Sequence, residues 1–124
     1  IPSDFFFKAN VAFSNTLNLT ARAKLRNNMA TALTDTQLSQ LAEHGWTKDG
    51  ETIRKTFSFD NSDGKSPFLK GLAFIEKIAV FAEEANHHPD ITFTYNRVVI
   101  SLTTHDKGML TPKDFDLAMK IDTI

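Results

Sequence analysis

The hydrophobic period of this chain changes at Pro89. From Ser66 to about Asn86 the apolar residues recur at helical spacing, with Phe68, Leu72, Ile75, Ala79 and Ala82 on one stripe and Phe74, Ile78, Phe81 and Ala85 on an adjoining one. Beyond Pro89 they recur at every second position, first Ile91, Phe93 and Tyr95, then Val98, Ile100 and Leu102. The residue before a proline avoids the α region, so the long helix is expected to end near His87 and to be followed by two strands joined tightly around Asn96. Ser66 and Pro67 supply the N-cap and N1 proline that open it. The two stripes cover roughly half of the helix, wider than the stripe of about 100° expected of a surface helix. One face can therefore cover a sheet while the other is left for a second helix or another subunit.

The flanking segments read in the same way. Leu33-Thr34-Asp35-Thr36-Gln37-Leu38 combines a capping box, Thr34 with Gln37, and a hydrophobic staple, Leu33 with Leu38. A short helix should follow, with His44 in its last turn and Gly45 after it. Trp46 to Phe59 reads as a hairpin turning at Asp49-Gly50, with Ile53, Lys55, Phe57 and Phe59 on one face. Lys55 interrupts that face, which predicts a strand near an edge. Thr111-Pro112-Lys113-Asp114 is again a cap, an N1 proline and an acid at N3, opening a final helix with Phe115, Leu117, Ala118 and Ile121. The order α-β-β-α-β-β-α predicts an α+β fold, a four-stranded antiparallel sheet covered on one face by helices. That domain spans 33–124, and residues 1–32 form an N-terminal extension.

Composition narrows the partners. The chain has 124 residues, 41% apolar and 23% charged, with eleven phenylalanines, enough for one domain with a real core. A net charge of −1 gives no electrostatic reason to expect nucleic-acid or membrane binding, and small-molecule or protein partners fit better. No cysteine is present, so disulfides and thiolate chemistry are excluded and any zinc would need His and carboxylate ligands. No apolar run approaches the roughly 20 residues that cross a bilayer. Between Phe5 and Thr34 there is no acid, while Lys8, Arg22, Lys24 and Arg26 are basic. The stretch faintly resembles an organellar transit sequence, and a poorly constrained extension looks the same. The expected compartment is the cytoplasm, with the nucleus a second location and organellar import left open.

Three of the four histidines lie between Glu83 and Asp106. His87 and His88 stand at the helix corner with their rings in different directions, and His105 closes the last strand. As ordinary residues, His87 would cap the helix, His88 would bond locally and His105 would be solvated. As metal ligands they would join Glu83, but adjacent histidines aim poorly at one ion and no HExxH pattern is present. As acid and base they need no common focus: imidazoles near pKa 6.5 donate one proton and accept another at neutral pH. Spacing alone leaves all three open.

The set Glu83, three residues, His87-His88-Pro89, five residues, Tyr95, nine residues, His105, eight residues, Asp114 resembles the signature of the pterin-4a-carbinolamine dehydratases, also known as dimerisation cofactors of a homeodomain transcription factor. The similarity runs from about Leu33 to Ile121 and includes Gly45-Trp46 and Thr104-His105. It implies dehydration of 4a-hydroxytetrahydrobiopterin to quinonoid dihydropterin, a hydro-lyase step in tetrahydrobiopterin recycling, without metal or bound cofactor. It further implies that His87, His88 and His105 are catalytic, that His87 to Pro89 and Thr104, His105, Asp106 and Lys107 meet the pterin, and that Glu83, Tyr95 and Asp114 support them. On this reading Glu83 orients or biases His87, though an ordinary solvated helix carboxylate would look the same; read as ordinary residues, Asp114 is the acidic partner of the Thr111 capping box and Tyr95 packs at the hairpin rather than donating a proton. Animal members often carry an aromatic two residues after the proline and an arginine before the acid. Ile91 and Lys113 stand there instead, which bears on substrate affinity. The resemblance also implies a homo-oligomer, dimer or tetramer, and a transcription-factor partner as the alternative role.

Overall fold

Thr34 opens the first helix, α1 (Asp35–Glu43), by the expected capping box: its hydroxyl accepts the Gln37 N–H at 3.1 Å, and Gln37 Oε1 accepts the Thr34 N–H at 3.0 Å. Leu33 is buried beneath it, Leu38 packs on the core, and Gly45 follows the helix at φ +90°. This computed structural model describes residues 32–124. The basic stretch with Lys8, Arg22, Lys24 and Arg26, and the expected extension as far as Thr31, lie outside the described residues.

Four strands follow, β1 (Thr47–Asp49), β2 (Thr52–Ser58), β3 (Asp90–Thr94) and β4 (Arg97–Leu102), in the sheet order β1-β2-β4-β3 with every pairing antiparallel. Asp49 pairs with Thr52, so the two central turn residues are Gly50 and Glu51, one position later than Asp49-Gly50. Gly50 at φ +62° takes the first central place, where a positive φ matches the strand twist. The register Ile53↔Leu102, Lys55↔Ile100, Phe57↔Val98 and the pairs Ile91↔Ile100 and Phe93↔Val98 put these side chains on one face. On the other face Arg54, Thr56, Ser58, Thr92 and Thr94 are exposed. Leu41 of α1, Phe74 and Ile78 of α2 (Pro67–Ala85) and Leu117, Ala118 and Ile121 of α3 (Pro112–Ile121) join the strands' apolar residues in one core. Each fully buried aliphatic side chain there contributes roughly 1.5–3 kcal/mol over its exposed state.

The strand that carries Lys55 is next to an edge, as expected, without being the edge itself. β2 lies between β1 and β4, and the three-residue β1 is the edge. The ammonium is accommodated because it donates to Asp122 Oδ1 and to the His44 carbonyl, both at 2.6 Å, and lies 4.9 Å from the Phe57 ring centroid. Trp46 Nε1 donates to the other Asp122 oxygen at 2.9 Å. A lysine facing a core is tolerable when it is paired in this way, and the partner is supplied from the end of α3.

The seat of α2 differs from the apolar stripes. Its buried residues are Pro67, Gly71, Phe74, Ile78 and Ala82, with Ile75 and Phe81 half-buried, whereas Phe68, Leu72 and Ala79 are exposed. Gly71 sets this rotation: a Cβ at that position would stand 2.7 Å from Phe93 Cε1, so the helix touches the sheet where its side chain is missing. The helix then stops at Ala85, before the proline takes effect. Asn86 adopts the left-handed conformation, φ 50° and ψ 45°; its N–H reaches the Glu83 carbonyl at 3.2 Å and the His87 N–H returns to the Ala82 carbonyl at 3.0 Å, the hydrogen bonds of a Schellman motif. Among the described residues no helix is long and apolar enough to cross a membrane.

Candidate active site

The left-handed turn at Asn86 brings His87 against the first turn of α3. His87 is 8% exposed and its Nε2 lies 2.6 Å from Oδ1 of Asp114, which is 0% exposed. Asp114 is the N3 residue of α3, and the expected capping box with Thr111 is present. The sequence reading of this acid as a cap is right as far as it goes. Its Oδ2 accepts the Thr111 N–H at 3.0 Å and the Thr104 hydroxyl at 2.7 Å, while the Thr104 and Thr111 hydroxyl oxygens stand 2.7 Å apart. One carboxylate thus serves a helix start with one oxygen and holds an imidazole with the other. Buried polar groups are ordinarily satisfied, and here each meets another inside the protein.

His88 has the opposite setting. It is exposed, and its Nε2 meets Oε2 of the exposed Glu83 at 2.5 Å. Glu83 was expected to orient His87, four residues on; it engages His88 instead. Counting i to i+4 holds only while the backbone is helical, and Asn86 ends that register before either histidine. The two neighbouring rings therefore have separate carboxylates, one pair buried and one in solvent. Among the described residues, no three His, Asp or Glu side chains gather as a metal-ligand set.

His105 sits in a tight loop after β4. Thr104 bridges to Met109, and the Thr104 carbonyl accepts the N–H groups of Lys107 at 3.0 Å and Gly108 at 2.9 Å, with Gly108 at φ +64°. His105, Asp106 and Lys107 are exposed, but Thr104 is 3% exposed and turned inward. Its hydroxyl is committed to Asp114. The loop is also tied to the β1–β2 turn: Thr103 Oγ1 donates to the Glu51 carbonyl at 2.5 Å, and Glu51 Oε1 accepts the Leu110 N–H at 3.1 Å. Nothing local in the sequence singles out Glu51, because its partner lies 59 residues away.

Topology decides which expected residues share a place. Asp90 pairs with Ser101, so His88 and Pro89, just before β3, lie at the same end of the hairpin as Thr103 to His105, just after β4. Thr104 contacts the same carboxylate that holds His87, which brings all three histidine segments to one corner. Tyr95 does not join them. It is exposed in the β3–β4 turn at the other end of β3, a distance of about 16 Å along a five-residue strand. A hollow of about 420 Å³ lined by Gly45, Thr47, Arg54, Lys55 and Thr56 lies at β1 and β2, and its lining includes none of His87, His88 and His105.

This arrangement can accept a proton at one ring and donate one from another. The sequence matches the family described as pterin 4 alpha carbinolamine dehydratase over residues 29–124. A provisionally named pterin-4-alpha-carbinolamine dehydratase of Roseiflexus sp. (strain RS-1) is 46% identical over 98 residues, covering 77% of this chain and 99% of that protein. A crystal structure from Brucella melitensis, described as a transcriptional coactivator/pterin dehydratase, superposes with a TM-score of 0.63 at 30% identity, covering 75% of this chain and 97% of that one. A pterin dehydratase-like protein described as a RuBisCO assembly factor in the alpha-carboxysome superposes with a TM-score of 0.51 at 26% identity, covering 64% and 88%.

Proposed function

The chain belongs to the pterin-4-alpha-carbinolamine dehydratase family, and on that premise we propose that it dehydrates 4a-hydroxytetrahydrobiopterin by histidine acid/base catalysis as a step of tetrahydrobiopterin recycling. The observation that carries this reading is the buried contact of His87 with Asp114. With Nε2 held by a carboxylate, the neutral ring keeps its other nitrogen, Nδ1, as an acceptor. His87 removes the N5 proton of the pterin. An exposed histidine, His88 or His105, protonates the 4a hydroxyl, which leaves as water while the N5–H electron pair forms the C4a=N5 bond of the quinonoid product. One proton is taken and one is given, so the protein ends the cycle with its charge unchanged. Asp114 compensates the imidazolium formed at His87, in a setting where water does not screen it. Pro89, Asp106 and Lys107 frame the substrate together with the three rings.

The test is the loss of 4a-hydroxytetrahydropterin absorbance with purified protein in the absence of added metal. His87→Ala and His105→Ala should each depress kcat by about 10²-fold or more, and full activity in both would sink the assignment. A second reading, a protein-binding module acting as a dimerisation cofactor of a transcription factor, draws on the exposed Phe68, Leu69, Leu72 and Val80 of α2 and on the coactivator description of the Brucella protein. The same apolar residues suit a second copy of this chain, giving a dimer or tetramer. A monomer by light scattering would remove that argument.

A further inference from the structure

We propose that Thr111 and Thr104 form a directed hydrogen-bond chain that fixes the proton of neutral His87 on Nε2 and makes both threonines positioning residues for that ring. The inference rests on the reading of His87 as a catalytic base and adds the device that prepares it.

The direction follows from counting protons. A carboxylate only accepts, and a threonine hydroxyl has one proton to give. Asp114 Oδ2 receives the Thr111 N–H, and the Thr104 hydroxyl donates to the same oxygen. Thr104 has then spent its proton, so across the 2.7 Å contact Thr111 is the donor. The Thr111 oxygen in turn accepts the Lys113 N–H at 3.3 Å, an otherwise unpaired amide of the first turn of α3. Every proton in the series points toward Asp114. Two donors occupy Oδ2, leaving Oδ1 for His87 at 2.6 Å, and an acceptor at that distance requires the proton on Nε2. The position of Asp114 in the first turn of a ten-residue helix favours the negative carboxylate that this count assumes. Thr111 and Asp114 are fully buried and Thr104 and His87 nearly so, so water does not offer the ring a competing partner. The opposite arrangement, a protonated Oδ1 donating to a bare Nε2, would place the proton on Nδ1 and remove the lone pair that the reaction uses.

Ring ¹⁵N spectra of the full chain, labelled at histidine, read the tautomer directly and without substrate. The expected wild-type result is a neutral His87 protonated at Nε2. Thr104→Val removes the hydroxyl at nearly constant volume, and there the ring should become a mixture of tautomers. Thr104→Ser should restore the wild-type state. In the carbinolamine assay, the valine variant should lose roughly tenfold or more in kcat with KM changed less than about twofold. Proton on Nδ1 in the wild type overturns the proposal, as does an unchanged tautomer in a folded Thr104→Val protein. The wild-type spectrum decides the proton's position by itself, so a variant that fails to fold does not shelter the idea. A wild type with Nε2 protonated but inactive on the carbinolamine refutes the proposed reaction and supports the hydrogen-bond chain.

Discussion

Asp114→Asn is the substitution that separates shape from charge at the candidate site. Asparagine fits the same space, and its oxygen can keep both the Thr111 N–H and the Thr104 hydroxyl as donors. Its amide nitrogen must then face His87 Nε2, 2.6 Å from the present oxygen. An amide N–H₂ donates, so Nε2 must accept and the ring proton must move to Nδ1. The stability cost is bounded by the hydrogen bonds that change. A bond to a charged group contributes about 1.5–3 kcal/mol and a neutral one about 0.5–1.5. Three weakened bonds, partly offset by no longer burying a charge, come to about 1–3 kcal/mol. Against a typical domain stability of 5–15 kcal/mol, the variant should remain folded. Asp114→Ala, in contrast, would strand an imidazole, a hydroxyl and an amide at about 1–3 kcal/mol each, enough to threaten the fold. Elsewhere, replacing a carboxylate that orients a catalytic imidazole by its amide slows turnover about 10⁴-fold through the wrong tautomer. A drop of roughly 10³- to 10⁴-fold in kcat is therefore expected here, measured by carbinolamine loss on protein whose thermal unfolding has been recorded. A folded Asp114→Asn protein with kcat within about tenfold of the parent would refute the reasoning.

Glu83→Gln should behave differently, because its pair with His88 is exposed and such pairs contribute about 0–1 kcal/mol. Stability should stay within about 0.5 kcal/mol by denaturant titration, and a larger loss would mean that the pair is structural. Glu51→Ala frees the Leu110 N–H from its acceptor, and hydrogen exchange at that amide should accelerate with little change elsewhere; unchanged exchange would remove Glu51 as an anchor of the His105 loop. Gly71→Ala puts a methyl 2.7 Å from Phe93 Cε1 and should cost about 1–3 kcal/mol; an unchanged unfolding midpoint would show that the Phe93 ring turns aside without cost and would refute the close-approach reading. Acid should loosen the segment before α2. Hydrogen bonds from Ser62 hold the Asp60 carboxyl below its usual 3.8, and the Lys70 side chain does the same for Asp63. The folded values are depressed, so this contribution is fully present above about pH 3.8 and fades as pH falls through the lower folded values. Proteolysis within Asp60 to Lys65 that is no faster at pH 3 than at pH 5 would contradict this.

The helices and strands were legible in the sequence because their signals are local. Thr34 with Gln37, Ser66 with Pro67 and Thr111 with Asp114 each start a helix within four residues, and the alternation at Val98, Ile100 and Leu102 assigns a buried strand face without reference to anything distant. The histidine cluster and its acids were legible as residues, but their pairing was not. Counting along an ideal helix assigned Glu83 to His87, and one left-handed residue, Asn86, sent His87 to Asp114 and left Glu83 to His88. Lys55 placed its strand near an edge, but the partner of its charge, Asp122, comes from the end of α3, and Gly71 has no place in an apolar count although Phe93 packs against it. Thr104 and Glu51 acquired roles only through partners ten and 59 residues away. The sequence by itself determined which segments are helix or strand, and which residues are chemically able to move a proton. Tertiary structure decided which carboxylate holds which imidazole and which ring is shielded from water. Dihedral preferences and caps act over a few residues, whereas the state of an ionisable group depends on whatever the fold brings within about 3 Å of it.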